Sequence, residues 1–245
     1  MTRLKIDEVV EIPEMAAFHD ERIRVTNDTL AFHAPESTFY IDLPTRTISV
    51  DAPVLLPPPP APMFGGRAMQ TFLHDGRAGV ILAGDRHILW SKPAKFAQLR
   101  TIDDELFGLQ INDQHLLAVE QGDEPRVRWS GLFPPYIYDI ARLKNGDVLV
   151  ATAGRGGYVY EVDSDGEVKR KTNVPGGASA LIADRGKSGR VVASGWECVL
   201  VIDGKNDVRE IVKLKGAFRA VWFRGKRLAC LCGDPTPGVV FARLP

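Results

Sequence analysis

The sequence predicts an all-β fold, a six-bladed β-propeller closed by its own N-terminal strand, and three observations carry the prediction. Residues 136–172 read as two hairpins, 137–143 with 147–152 and 158–163 with 167–172, turning at Asn145-Gly146 and Asp165-Gly166. Asn, Asp and Gly tolerate the positive φ that a type I′ turn demands at both central residues. The glycine-rich 153–157 joins the hairpins into one four-stranded unit. Turns of the same kind recur at positions 27, 75, 112, 145, 186 and 225, about forty residues apart, each between apolar strands. Lastly, the chain stops after a third strand at 238–244, while 4–12 is strand-like and lacks a hairpin partner, so the two ends are expected to pair and leave no open edge.

Taken in order, the third strands are expected at 38–43, 86–91, 125–130, 158–163, 198–203 and 238–244. The lysines and arginine of 169–171 suit an outer strand that must not pair with strangers. Two stretches fit less well. The segment 52–66 contains four consecutive prolines and reads as a stiff polyproline loop inserted into a single domain spanning 1–245. The link 131–135 leaves little room for an outer strand, so the third unit reads as three-stranded, or the ring as five blades with an irregular arm.

Composition bounds the function. Length and a 44% hydrophobic content allow one large core, and zero net charge disfavours nucleic-acid binding, which draws its affinity from neutralising phosphates. Acidic residues gather in the first 135 positions and basic ones in the rest. Cys198, Cys230 and Cys232 form no disulfide framework, and Cys230 with Cys232 reads as a pair of core thiols. Neither a signal peptide nor a membrane-length apolar run is evident, so a cytoplasmic protein without membrane attachment is expected.

Residues 139–168, DIARLKNGDVLVATAGRGGYVYEVDSDGEV, resemble a blade of the propeller superfamily that includes NHL-repeat, SMP-30/gluconolactonase-like and PQQ-like proteins. The tryptophan usual late in a PQQ-like blade is not matched here. Propellers usually bind ligands on the face carrying the second-to-third loops and the links between blades. By the repeat, those loops are 33–38, 84–86, 121–124, 153–157, 194–197 and 232–238, with His19, Arg67, Glu105, Tyr138 with Asp139, Ser179 and Arg219 opening the inner strands.

Two functions follow. In the first the protein is a non-catalytic recognition or scaffold module with a protein partner and no cofactor, binding through Arg155, Trp196, Glu197, Arg67, Arg219 and Tyr138. In the alternative it is a metal-dependent hydrolase, lyase or isomerase of SMP-30 type acting on a small molecule, with His19, Glu105 and Asp139, near Asp20, holding Ca or Mg in the channel. No GxSxG, HExxH or P-loop signature supports a further enzyme class. The recognition module is the preferred expectation.

Overall fold

A computed structural model describes residues 5–14, 23–26, 28–34, 36–53, 63–64, 67–82, 88–93, 95, 97–102, 105–112, 114–120, 126–134, 136–143, 145–152, 157–175, 180–183, 190–194, 198–203, 208–214, 217–224, 227–233 and 237–243. They contain six four-stranded antiparallel sheets and no α-helix. After β1 (Lys5–Glu11), the chain lays down β2 (Ile23–Thr26), β3 (Thr29–His33), β4 (Thr38–Asp42) and β5 (Ile48–Asp51) as one sheet. The next holds β6 (Met63–Phe64), β7 (Arg67–His74), β8 (Arg77–Leu82) and β9 (Ile88–Pro93); a third holds β10 (Ala97–Thr101), β11 (Leu106–Ile111), β12 (His115–Glu120) and β13 (Arg126–Leu132). A fourth holds β14 (Ile137–Arg142), β15 (Val148–Thr152), β16 (Tyr158–Val162) and β17 (Val168–Asn173), and a fifth β18 (Ala180–Ala183), β19 (Arg190–Ser194), β20 (Cys198–Asp203) and β21 (Val208–Lys213). In the last, β22 (Ala217–Arg224), β23 (Arg227–Cys232) and β24 (Gly238–Arg243) are followed by β1.

The chain divides into two compact units, Met1–Pro58 with Val174–Pro245, and Pro59–Asn173. In the first, alternate residues of β3, β4, β23 and β24 point inward, and Leu30, Phe32, Ile41, Leu231, Val239 and Phe241 form a buried core. Cys230 and Cys232 are buried on β23, and burial pushes the Cys232 thiol up to about 12 and Cys230 higher still, so neither is a thiolate at neutral pH.

β1 pairs with β24 from Lys5 opposite Arg243 to Glu11 opposite Gly238, with a bulge at Asp7. The bulge turns Asp7 onto two guanidiniums. Arg243 grips it through Nε and Nη2 at 3.0 and 2.9 Å, and Arg46, from the β4–β5 turn, reaches it at 3.4 Å and Glu8 at 2.9 Å. The hydrogen bond from Arg243 holds the Asp7 carboxyl below its usual 3.8. A depressed carboxyl stabilises the fold in full above its unfolded value, and the contribution is lost as pH falls through the folded one. Asp7→Asn should therefore melt below the parent at neutral pH, and the gap should narrow in melts taken from about pH 6 down to about pH 3. A gap independent of pH would mean that Asp7 acts through packing alone.

In the second unit, two cores stack the sheets. Met69, Val80 and Leu82 meet Leu109, Leu117 and Val119 between the sheets of β6–β9 and β10–β13. Leu116, Ala118 and Trp129 meet Ile140, Val150 and Tyr160 between β10–β13 and β14–β17.

The turns differ from the type I′ expectation where they looked clearest. Leu143 N–H bonds the Asp147 carbonyl and Gly146 N–H the Leu143 carbonyl, which leaves a three-residue loop with positive φ (93°) at Gly146. The same pattern runs from Asp163 to Glu167, with Gly166 at φ 91°. These are type I turns with a glycine bulge. Asn145 Oδ1 accepts the Asp147 N–H at 3.1 Å, an Asx arrangement that needs no positive φ at Asn145. At Asp75-Gly76 both residues have positive φ (49° and 69°) and His74 faces Arg77, so there the two-residue type I′ turn is present.

Strand rank also departs from the repeat. The segments 86–91 and 125–130, expected as third strands, lie largely in β9 and β13, the fourth strands of their sheets. The short β6 and the unforeseen β10 come first, so the sheet expected to have three strands has four. An Asn/Asp turn suits any hairpin connection, so it does not mark which connection it makes.

Candidate functional site

The shifted rank changes which loops share an end. In the Pro59–Asn173 unit, Arg77, just past the β7–β8 turn, faces Pro93, which leads to Lys95. The Lys95 N–H bonds Asn112 Oδ1 at 3.0 Å in the β11–β12 turn, and Phe133 N–H bonds the Gln114 carbonyl of that turn at 2.8 Å. Two second-to-third turns and two sheet-to-sheet links are thus tied into one end. They take the place of 84–86 and 121–124, named for this role from the repeat.

That end is apolar. Leu132 is 78% exposed, Leu73 58%, Tyr136 57% and Tyr138 48%. Local geometry explains why three of them stay outside. Phe133 takes the inward position of the link, packing edge-on against Tyr160 at 5.4 Å, so Leu132 beside it must face out. Tyr136 sits at φ 68°, a left-handed conformation that costs a bulky side chain about 1–3 kcal/mol. Tyr138 occupies a bulge between Ile137 and Asp139, where the ladder skips a residue.

The other end of the same unit exposes Val127 and Val168 and is otherwise laced with ion pairs. Arg142 Nη1 donates to Glu105 Oε2 at 3.1 Å, and Arg128 donates to the Ser164 carbonyl at 3.2 Å and lies 3.6 Å from Glu120. With Leu106 they line an open groove of about 240 Å³. Asp147 and Glu161, both buried, meet Lys169 at 2.8 Å and Arg170 at 3.9 Å on β17, and Lys171 lies 3.8 Å above the Tyr158 ring. The cations of this outer strand therefore fasten it to its own sheet besides guarding the edge.

Of the residues expected to bind, Tyr138 lies on the apolar end. Arg67 starts β7 and Glu105 precedes β11, so both open second strands and stand at the opposite end. Arg219 lies in β22 opposite Leu231, and its side chain is outside the described residues. Arg155, Trp196, Glu197 and His19 also lie outside them. Of the nominated metal ligands, Glu105 bonds Arg142, and Asp139 Oδ1 accepts the Ile140 N–H at 2.9 Å. Among the described residues no three His, Cys, Asp or Glu side chains stand together as a metal would require. At 33–38, His33 and Thr38 are buried and bonded to each other at 3.1 Å, so these two side chains face inward, while Glu36 is exposed.

Leu73, Leu132 and Tyr136 were not foreseen. The signal was in Leu132-Phe133-Pro134-Pro135-Tyr136, because prolines bar a regular strand there and only one of two adjacent apolar residues can face the core.

No family model matches the chain, and no curated protein does. Solved structures do. The BBS1N chain in a complex with ARL6DN superposes with a TM-score of 0.64 at 9% identity, over 100% of this chain and 97% of that one. The WD40 β-propeller domain of Doa1 gives 0.59 at 11% identity over 99% and 97%, and Sqt1 of Saccharomyces cerevisiae 0.51 at 11% over 89% and 69%. The chain has a β-propeller fold. The NHL, SMP-30 and PQQ subtypes are not among these likenesses.

Proposed function

We propose that the chain is a single six-bladed propeller, closed by β1 on β24, that works as a protein-recognition module. One observation carries the functional reading: three large exposed side chains, Leu132, Tyr136 and Tyr138, cluster in sequence around the β13–β14 link of the Pro59–Asn173 unit, and Tyr136 is held there in a strained conformation. Exposed apolar surface costs about 25 cal/mol per Å² while it stays wet, and rigid tyrosines are common anchors of protein interfaces. Backbone strain persists where it serves a site. The BBS1N structure is a complex with ARL6DN, and the same use of the fold is proposed here. All three cysteines are buried and unbridged, which suits the reducing cytoplasm. Among the described residues no helix is long and apolar enough to cross a membrane.

Placing a photo-crosslinking residue at position 132, and separately at position 165 in the exposed β16–β17 turn, tests the reading in the source cell. Position 165 lies beside the middle of β13, where Arg128 bonds the Ser164 carbonyl, four residues or about 13 Å along the strand from position 132. Discrete protein adducts from position 132 and none from position 165 are expected. Adducts equal at both, or absent from position 132, would remove this end from consideration.

A further inference from the structure

We infer that Asn145 is a site of spontaneous conversion to aspartate and isoaspartate, and that Lys169, acting through the buried Asp147, holds the conversion in check. Asn145 is the one asparagine of the sequence that glycine follows. With no side chain on Gly146 to crowd it, the Gly146 nitrogen can close on the Asn145 side chain. That nitrogen bonds to Asn145 Cγ and gives up its proton, the Cγ–Nδ2 bond breaks, and Nδ2 leaves as ammonia with that proton. The five-membered imide then takes up water. Opening at Cγ gives aspartate, and opening at the backbone carbonyl carbon gives isoaspartate, whose main chain runs through Cγ. Neither an oxidant nor an enzyme is needed, and asparagine is thermolabile for this reason. Asn145 is exposed in its turn, so water reaches it.

Hydrogen bonds oppose ring closure in the folded turn. Gly146 N–H is committed to the Leu143 carbonyl at 2.9 Å. Asn145 Oδ1 accepts the Asp147 N–H at 3.1 Å and Nδ2 donates to Asp147 Oδ2 at 2.8 Å, so the side-chain amide is held at both ends and its carbon is kept off the Gly146 nitrogen. The carboxylate that holds Nδ2 is itself held. Asp147 is 5% exposed, and its Oδ2 takes Lys169 Nζ at 2.8 Å from β17, two strands over in the same sheet. The ladder skips Lys169 between Val168, opposite Val162, and Arg170, opposite Glu161, and this bulge re-aims the side chain toward Asp147. Without Lys169 the buried carboxylate loses its cation, and its turn toward water frees Nδ2. Conversion replaces a donor to Asp147 with a second carboxylate, so refolding does not undo it.

The test incubates the full chain, folded and separately unfolded in guanidinium chloride. Peptide mass mapping reads the conversion at Asn145, and enzymatic methylation reads the isoaspartate. The folded parent should convert about tenfold or more slowly than the unfolded one, because only the opened turn reacts. Lys169→Gln should speed the folded chain about tenfold, the scale of a charge-assisted hydrogen bond lost beside a buried group, and leave the unfolded rate unchanged. Lys169→Arg, which keeps the cation, should convert as slowly as the parent. Melting curves confirm that the variants fold; Lys169 is 48% exposed, so its replacement leaves the core intact. If Lys169→Gln does not fold, the folded and unfolded parent still decide whether the turn protects Asn145, and Lys169→Met repeats the comparison. Equal rates in the folded and unfolded parent would overturn the inference. So would a folded Lys169→Gln chain that converts no faster than the parent, or a Lys169→Arg chain that converts as fast as Lys169→Gln.

Discussion

Deleting residues 1–12 lowers the melting temperature by about 10 °C or more, the expected consequence of removing about 4 kcal/mol or more from a chain of this size at 2–4 °C per kcal/mol. The loss has three sources. β1 pairs with the whole of β24, and each ladder bond contributes about 1 kcal/mol net. Ile12 is buried against the Leu30, Phe32 and Phe241 core, with its N–H on the Pro237 carbonyl at 2.8 Å, and fully burying such a side chain contributes about 1.5–3 kcal/mol. The Arg46 and Arg243 contacts to Asp7 and Glu8 disappear too; the Asp7 side chain is only 9% exposed, so its pairs add to the loss, while the exposed Glu8 adds little. The truncated chain also leaves β24 an open edge of almost wholly buried residues, so aggregation should rise in light scattering. A truncated protein that melts like the parent and stays monodisperse would mean that β1 does not hold β24 in solution.

The sequence made some of this legible, and the reasons are physical. β14 to β17 fall within a residue or so of the expected strands, because alternating apolar residues between Asn/Asp-Gly turns admit little else. The pairing of 4–12 with the last strand was readable because it was the one strand-like stretch without a local partner. Strand rank was not, since Asp75-Gly76 and Asn145-Gly146 look alike as dipeptides and join different strand pairs. Nor was turn type, which depends on whether two or three residues lie between the closing hydrogen bonds. For the candidate site, Tyr138 was named from its place at the start of a strand, and its side chain is exposed there. Tyr136 and Leu132 were hidden because their exposure follows from a positive φ and from the inward choice of Phe133, neither of which a periodicity encodes.

Gly166→Ala should cost about 3 kcal/mol, whereas Gly146→Ala should cost about 1 kcal/mol, although the two turns share one geometry. Both glycines sit at nearly the same positive φ, 91° and 93°, so the backbone penalty for an L side chain is common to both. Their surroundings differ. A Cβ on Gly146 would have only Arg142 Nη2 within 4 Å, at 3.9 Å, the end of a flexible side chain in the ordinary range of contact. A Cβ on Gly166 would lie 2.6 Å from Trp129 Cβ and 3.1 Å from Cγ. Trp129 is buried in the core between β10–β13 and β14–β17, so it cannot step aside without opening that core. Chemical denaturation of the two variants separates the contributions, because the difference between their losses reports the Trp129 contact alone. Equal losses would mean that the β16–β17 turn moves off Trp129 at no cost, and that the packing between these two sheets is looser than the contact implies.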